Sequence, residues 1–517
     1  MDFLNVPLAS GGIKGILSPM TAKQAYDQLA AQSRRLQAFS SAASLAWWDE
    51  ETGMPPKGLS WRAQQVEVLV SHQHEQFASE RTGEWIAACE AGGLEAGSFE
   101  EANVALWRRA YDQAVKLPTD LVAEEAATAT RARSAWAAAR KANDFAAFLP
   151  WLEKSVELRR RRAECLGYEE HPYDALLDMY ERGMRTAEVR ELFGRLRPGL
   201  VDLAGRAAER STRIPEDLLA GEYTEEGQRE FNRRVAEAIG FDFEGGRIDT
   251  STHPFCSRIG PGDVRLTNRY RSDDFSDSLF GILHEAGHGL YEQGLPEEWF
   301  GLPAGKSVSL GVHESQSRLW ENHVGRSLPF WEKWLPTAVE CFPHLKDRTP
   351  ADMVRALTRS RRGFIRVGSD EATYDLHILL RFELEVALVE GSLEARDVPG
   401  EWNKRFHELF GLEVPDHTRG CLQDIHWSMG AIGYFATYTL GNLNAAHLLE
   451  AARAGDAGLA AAMDRGEYAP LLAWMRERIH RHGNLVAPTE LVARAAGSPM
   501  DEKAFLGRLE RVYVDAD

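Results

Sequence analysis

Along the first half of the chain, apolar residues return every three or four positions among runs of Ala, Glu and Arg. The pattern is plainest in LVAEEAATATRARSAWAAARKANDFAAFLPWLEKSVELRRRRAECLG and in TAEVRELFGRLRPGLVDLAGRAAER. That spacing, filled with strong helix formers, predicts amphipathic helices. Proline and glycine punctuate between them. The C-terminal third reads the same way, with no repeat of fixed period and no low-complexity segment. The expected class is mostly α.

One stretch breaks the period. In HPFCSRIGPGDVRLTNRY, residues 253–270, the run Gly260-Pro261-Gly262-Asp263 is a turn signal between two short segments. If the second segment is a strand, Asp263, Arg265 and Thr267 share one face, and Val264 and Leu266 the other. A small β-hairpin is expected there. Directly after it comes FGILHEAGHGLYEQG, residues 280–294. Ser276 or Asp277 suits an N-cap, and Gly294 followed by Pro296 suits a stop, which predicts a helix of about four turns.

Composition narrows the class. The chain has 517 residues, 44% of them hydrophobic and 27% charged, ordinary for a folded domain with a large core. Its 60 basic and 78 acidic residues leave a net charge of −18. That argues against a nucleic-acid surface and suits a cationic metal. No stretch approaches eighteen apolar residues, so no membrane span is expected. MDFLNVPLASGGIKGILSPM at the start has no charged region followed by an apolar run, so no secretory signal is expected. Five scattered cysteines, none at CxxC spacing, fit a reducing compartment. The expected location is the cytoplasm.

The predicted helix puts His284 and His288, four apart, on one face, where both imidazoles can reach one zinc. Glu285 is turned about one hundred degrees away and suits a general base for a water at that metal. Gly281, Gly287 and Gly289 each weaken the helix by up to ~1 kcal/mol relative to Ala, so packing must hold it. Small residues there also let another element come close. A catalytic zinc needs a third protein ligand and an open position. A histidine six residues after His288 is excluded, because that position is Gly294. VHESQSRLWENHVG, residues 312–325, offers Glu314 and Glu321, and spacing does not choose between them.

HPF at His253, DVRLT at Asp263, HEAGH at His284, HESQSRLWEN at His313, FIRVGSDEATYDLH at Phe364 and GCLQDIHW at Gly420 occur in this order. The set resembles the carboxypeptidase Taq family of metallocarboxypeptidases, as does LAWWDEETGMPP upstream. The resemblance implies His284, His288 and Glu314 as metal ligands, with zinc as the metal and cobalt able to replace it. It implies a neurolysin-like helical peptidase with a deep central groove, and homodimers. It also implies release of amino acids, with broad specificity, from peptides bearing a free C-terminal carboxylate. The expected organisation is one peptidase domain over 1–517, with a helical half at 21–245 and a catalytic half at 246–517. One departure is visible: Gly368-Ser369 stands where the family usually has an acid and an alanine before Asp370.

An exopeptidase of this kind must hold a free carboxylate, which favours the planar fork of arginine. Arg366 is the first candidate. Arg265 is the second, as a positioning or structural residue, and Asp370 and Asp263 are their ready ion-pair partners. Cleavage develops an oxyanion that needs a donor besides the metal. Tyr438 is the first candidate and His426 the second. Tyr434, expected on the same helical face as Tyr438, and the pair Tyr374 and His377 are others. His253 is expected to support the hairpin or touch substrate. The rival readings are an oligoendopeptidase in the same groove and a silent peptide binder that has kept the fold.

Overall fold

A computed structural model describes residues 20–515. The expectation drawn from the first twenty residues therefore lies, but for Met20, outside the described residues. The chain is mostly helical, as its periodicity predicts. In the helix Thr186–Ser211, Val189, Leu192, Leu196, Leu200 and Leu203 form the buried face. Pro198 lies inside this helix rather than ending it. Such a proline costs roughly 3 kcal/mol, and the buried leucines on either side offset it.

The expected hairpin is present as β2 (Cys256–Gly260) and β3 (Asp263–Asn268), paired antiparallel. Gly262 takes a positive φ of 70° in the turn, a conformation that favours glycine. Val264 and Leu266 are buried, while Asp263 and Arg265 stay half-buried on the other face. A further strand, β1 (Gly246–Thr250), runs parallel to β3 on its far side and gives the order β1-β3-β2.

Two large hydrophobic clusters carry the fold. One joins Leu196 and Leu200 to Leu376, Leu380 and Leu384 of the helix Glu371–Glu390, and to Phe505. It unites residues from before and after position 245. The other packs Phe231, Leu279, Leu283 and Leu290 against Trp331 and Leu448. A smaller cluster, with Ala25, Leu29 and Trp107, anchors the start of the long helix Ala22–Thr52.

Beyond Ala30 that helix buries nothing fully, and neither does its neighbour Leu59–Phe77. The pair forms an outlying arm. LAWW fastens it to the sheet: Trp47 lies 4.6 Å from the Phe255 ring, and Trp48 has the Arg265 and Arg247 guanidiniums 4.3 and 5.3 Å from its ring. Each cation–π contact of this kind contributes roughly 0.5–1 kcal/mol.

Candidate metal centre

The HEAGH segment sits in the helix Phe275–Gly294, which starts two or three residues earlier than expected. Its N-cap is Asp274, which accepts from Ser276 N, and not Ser276 or Asp277. Ser276 instead donates its hydroxyl to the same carboxylate at 2.6 Å. Ile282, Leu283, Ala286 and Leu290 pin one face of the helix in the core, which leaves both histidines on the open side.

The following helix, Leu310–Arg318, crosses the HEAGH helix at Gly287. A Cβ on Gly287 would lie 2.6 Å from Gln316 O and from Ser317 Cα, so only glycine permits this approach. On its other side the same helix meets Ala436–Gly455, where a Cβ on Gly441 would lie 2.6 Å from Glu314 Cγ. The helix that carries Glu314 is thus clamped between two glycine contacts.

The result is a compact ligand set. Glu314 Oε2 lies 3.7 Å from His284 Nε2 and 3.6 Å from His288 Nε2. One ligand atom from each of the three residues fits within 4.8 Å of the others. In a tetrahedral zinc site with bonds of about 2.0–2.1 Å, ligand atoms stand roughly 3.3 Å apart, so this set fits a divalent metal with little adjustment.

Each imidazole is held through its other nitrogen. His284 Nδ1 meets Glu321 Oε2 at 2.8 Å, and His288 Nδ1 meets His313 Nδ1 at 2.5 Å. His313 Nε2 in turn meets Glu292 Oε1 at 2.8 Å. Arg318 donates Nε to Glu314 at 2.7 Å and Nη1 to Glu321 at 3.2 Å. Such outer partners fix tautomer and ring orientation. The structure therefore separates the two glutamates that spacing left open: Glu314 faces both Nε2 atoms, and Glu321 supports His284 from behind. His313, Glu292, Arg318 and Gly441 carry no role on spacing alone, whereas the close approach expected at the helix glycines is present at Gly287. Glu292 was within reach, because it stands four residues after His288 on the same helical face.

The electrostatics follow from burial among charges. Burial would push His284 down, but Glu314 and Glu321 lift it to about 9. Burial and then His313 hold His288 well below the usual histidine value. Burial pushes Glu285 up to about 7. Burial would raise Glu321 too, but Arg318 and His284 hold it down at about 2.

Across from the ligands stand the other candidates. Arg366 is buried and donates Nε and Nη2 to Asp424 Oδ1, at 3.0 and 2.8 Å, and Nη1 to Tyr374 OH at 2.8 Å. Its acid partner is Asp424 and not Asp370. Asp370 instead caps the helix Glu371–Glu390 and accepts from Ser360, Arg361 and Thr373. Arg366 lies 5.1 Å from the Tyr438 ring. Tyr438 OH lies 3.4 Å from His426 Nε2, and its ring 5.3 Å from that of Tyr434. Tyr434 precedes the helix that carries Tyr438, so the two are neighbours without sharing a helical face. Tyr438 is one turn from Gly441 and so faces Glu314.

Other candidates fall elsewhere. Arg265 gives its fork to Asp263, Nε at 2.8 Å and Nη2 at 2.9 Å, which is the ion-pair outcome. His377 is fully buried, with Ser369 Oγ on its Nε2 at 2.9 Å, so the departing Ser369 serves a packed histidine. The backbone around His253 is pinned by Ser251 Oγ on its carbonyl and by Thr267 Oγ1 accepting from Phe255 N. The His253 ring is exposed and has no hydrogen-bond partner among the described residues.

The family model for "Carboxypeptidase Taq (M32) metallopeptidase" matches residues 28–513. A protein named "Thermostable carboxypeptidase 1" from Thermus thermophilus is 43% identical over 507 residues, covering 96% of this chain and 99% of its own length. A solved Pyrococcus furiosus carboxypeptidase superposes with a TM-score of 0.91 at 37% identity, covering 95% of this chain and 99% of the other. An M32 carboxypeptidase from Deinococcus radiodurans does so with 0.91 at 36%, with the same coverage.

Proposed function

The chain belongs to the carboxypeptidase Taq (M32) family of metallopeptidases and is a metal-dependent carboxypeptidase; from that premise we propose how its own side chains carry out the cleavage. His284 Nε2, His288 Nε2 and Glu314 Oε2 would hold the divalent cation. The observation that carries this assignment is their triangle, with the two edges to Glu314 at 3.6 and 3.7 Å. Two imidazoles and a carboxylate favour zinc, with cobalt as a substitute. Bound there, the cation supplies a Lewis acid that acidifies a water, polarises a carbonyl and favours the ionised form of Glu285.

Glu285 takes the proton of the attacking water and delivers it to the leaving amino nitrogen. Tyr438 OH donates to the developing oxyanion, with His426 Nε2 and Tyr434 beside it to fix its direction. Arg366 binds the terminal carboxylate through the N–H groups that Asp424 and Tyr374 leave over. Tyr374 positions that guanidinium from one side. His253 lines the cleft, and Arg265 holds the arm through Trp48. Peptides with a free C-terminus are the substrates, and broad specificity suits a clamp that reads the terminus rather than a side chain.

Homodimeric assembly and a cytoplasmic setting are proposed with this reading. The first rests on the family resemblance, the second on five cysteines that are all unpaired. No helix among the described residues is long and apolar enough to cross a membrane. The reading treats the chain as one peptidase domain, with the site carried by 246–517.

The test uses one peptide in two forms, free acid and C-terminal amide, with zinc or cobalt and again with a chelator. Mass spectrometry should show a ladder of single-residue losses from the acid alone, abolished by chelation. Internal cuts in both forms would point to an endopeptidase, and no cleavage with metal bound to a silent binder.

A further inference from the structure

The carboxypeptidase reading uses one end of the cleft. A cavity of about 630 Å³ lies at the other, between the arm, the helix Phe99–Lys116 and the start of the Glu314 helix. Its charged walls are Arg109, Arg182, Lys306 and Asp178, with His74 beside them. Arg109 is paired with Asp178. Arg182 gives its Nη2 to the carbonyls of Val486 and Asn484 and has no carboxylate within ion-pair distance among the described residues. Lys306 has neither an ion pair nor a side-chain hydrogen bond there. Three fixed cations against one carboxylate leave this cavity positive, in a chain whose net charge is −18.

Lys306 is solvent-exposed and lines the cavity, and the protein packed around it holds its ammonium below the ordinary lysine value. An ammonium with no carboxylate partner, in a cavity already positive, is free to pair with an incoming anion through a charge-assisted hydrogen bond. Glu181, a buried acid between the cavity residues Tyr180 and Arg182 in sequence, is already committed to the Gly311 N–H and to Ser309.

Direction along the peptide comes from the Glu314 helix. Its first residues, Ser309 and Leu310, line the cavity, and Tyr180 joins the cavity wall to the Tyr434 ring at 5.3 Å. Glu314 lies about one turn further, roughly 6 Å along the axis. Arg318, one turn beyond, stacks on Tyr374, which touches Arg366. The cavity and Arg366 therefore flank the metal ligands on opposite sides. A peptide whose terminal carboxylate sits at Arg366 must run its upstream residues toward the cavity. At about 3.3 Å per extended residue, the cavity begins some two residues upstream of the cleaved bond.

We propose that this cavity is an upstream specificity subsite that takes an acidic side chain, Asp or Glu, of the peptide substrate, with Lys306 as its principal anchor and Arg182 and Arg109 completing the positive wall. The proposal rests on the carboxypeptidase reading and on Arg366 as the end that holds the terminus.

The test uses peptides with one neutral C-terminal residue and Glu, Gln or Lys placed in turn at the second to sixth positions from the end. The readout is the Glu-to-Gln ratio of kcat/KM within each enzyme, so that general losses of activity cancel. The wild-type protein should favour Glu by roughly tenfold at one or two upstream positions, the size of one charge-assisted bond in a partly wet cavity. Lys306→Met should bring that ratio close to one. Lys306→Glu should invert it and favour the Lys peptide, a gain that a misfolded variant cannot give. Terminal release with a flat ratio at every position in the wild type would overturn the subsite and leave the carboxypeptidase reading intact. So would a Glu preference that survives Lys306→Glu. No terminal release from any peptide would overturn both.

Discussion

Gly287→Ala tests whether close approach of two helices sets the metal site. The new Cβ would meet Gln316 O and Ser317 Cα at 2.6 Å, and both are backbone atoms that cannot rotate aside. Ordinary contact needs roughly 0.8 Å more, so the Glu314 helix must retreat by that order. The ligand edges, at 3.6 and 3.7 Å, are already a little wider than a tetrahedral site prefers, and retreat widens them further. A misplacement near 1 Å costs about a hundredfold in turnover, and loss of oriented ligand support about ten- to a hundredfold in metal affinity.

Stability should respond differently. Overpacking costs about 1–3 kcal/mol, and replacing a helical glycine with alanine returns up to ~1 kcal/mol. The net loss of about 0–2 kcal/mol shifts the apoprotein Tm by only a few degrees. Gly205→Ala is the control, because Gly205 lies in the helix Thr186–Ser211 with nothing within 4 Å of an added Cβ. It should gain up to ~1 kcal/mol and bind metal normally. The assay titrates each apoprotein with zinc against a chromophoric chelator, then measures turnover at saturating metal and thermal unfolding. Wild-type affinity and turnover in Gly287→Ala would refute the reasoning, as would equal losses in Gly205→Ala.

Three further outcomes are expected. Glu285→Gln should bind metal as the wild type does and lose turnover by at least a thousandfold, since it removes the proton carrier; surviving turnover would assign the base elsewhere. Glu321→Gln should lower metal affinity about ten- to a hundredfold, measured by the same chelator competition, because His284 Nδ1 loses its carboxylate; unchanged affinity would make Glu321 a bystander. Metal uptake should release about one proton per ion between pH 7 and 9, because His284 is lifted to about 9 in the metal-free protein and must become neutral to bind. The sign is fixed: the stabilising charge on His284 is fully present below about pH 6.5 and is lost as pH rises through about 9, so apparent affinity climbs with pH over that range. Calorimetry in two buffers of different ionisation heat counts the protons, and none released at pH 7.5 would refute it.

Much of this site was legible because helix period is local. His284, Glu285 and His288 declare their faces from spacing alone, and Glu292 could have been added by the same rule. The choice of Glu314 over Glu321 was not local: it depends on where Gly287 and Gly441 let the helix sit, and no pattern on that helix records it. The partner of Arg366 was assigned to Asp370, four residues away, while the fold supplies Asp424 from a segment 58 residues on. β1 was missed because GRIDT is short and mostly polar and acquires its meaning only from β3 beside it. The N-cap at Asp274 was overlooked because serine and aspartate crowd the positions after it.

The two sides of the site also differ in charge, and on the proposed reading that difference orients the substrate. Around the metal ligands stand Glu285, Glu292, Glu314 and Glu321, with Arg318, Arg258 and Arg326 only partly balancing them. A divalent cation completes that wall. Opposite, Arg366 and the fully buried Arg381 share one carboxylate, Asp424, which they hold far below its ordinary value although burial alone would raise it. Two cations on one acid leave that wall with a surplus positive charge, which the proposed binding of an anionic peptide terminus would complete. Each wall is thus finished by one component of the reaction. A peptide entering backwards would bring an ammonium to the two arginines, where the surplus charge repels it. By this argument the preference for the C-terminal end arises from an unbalanced pair of arginines as much as from any single hydrogen bond. An uncharged amide terminus forfeits the same term.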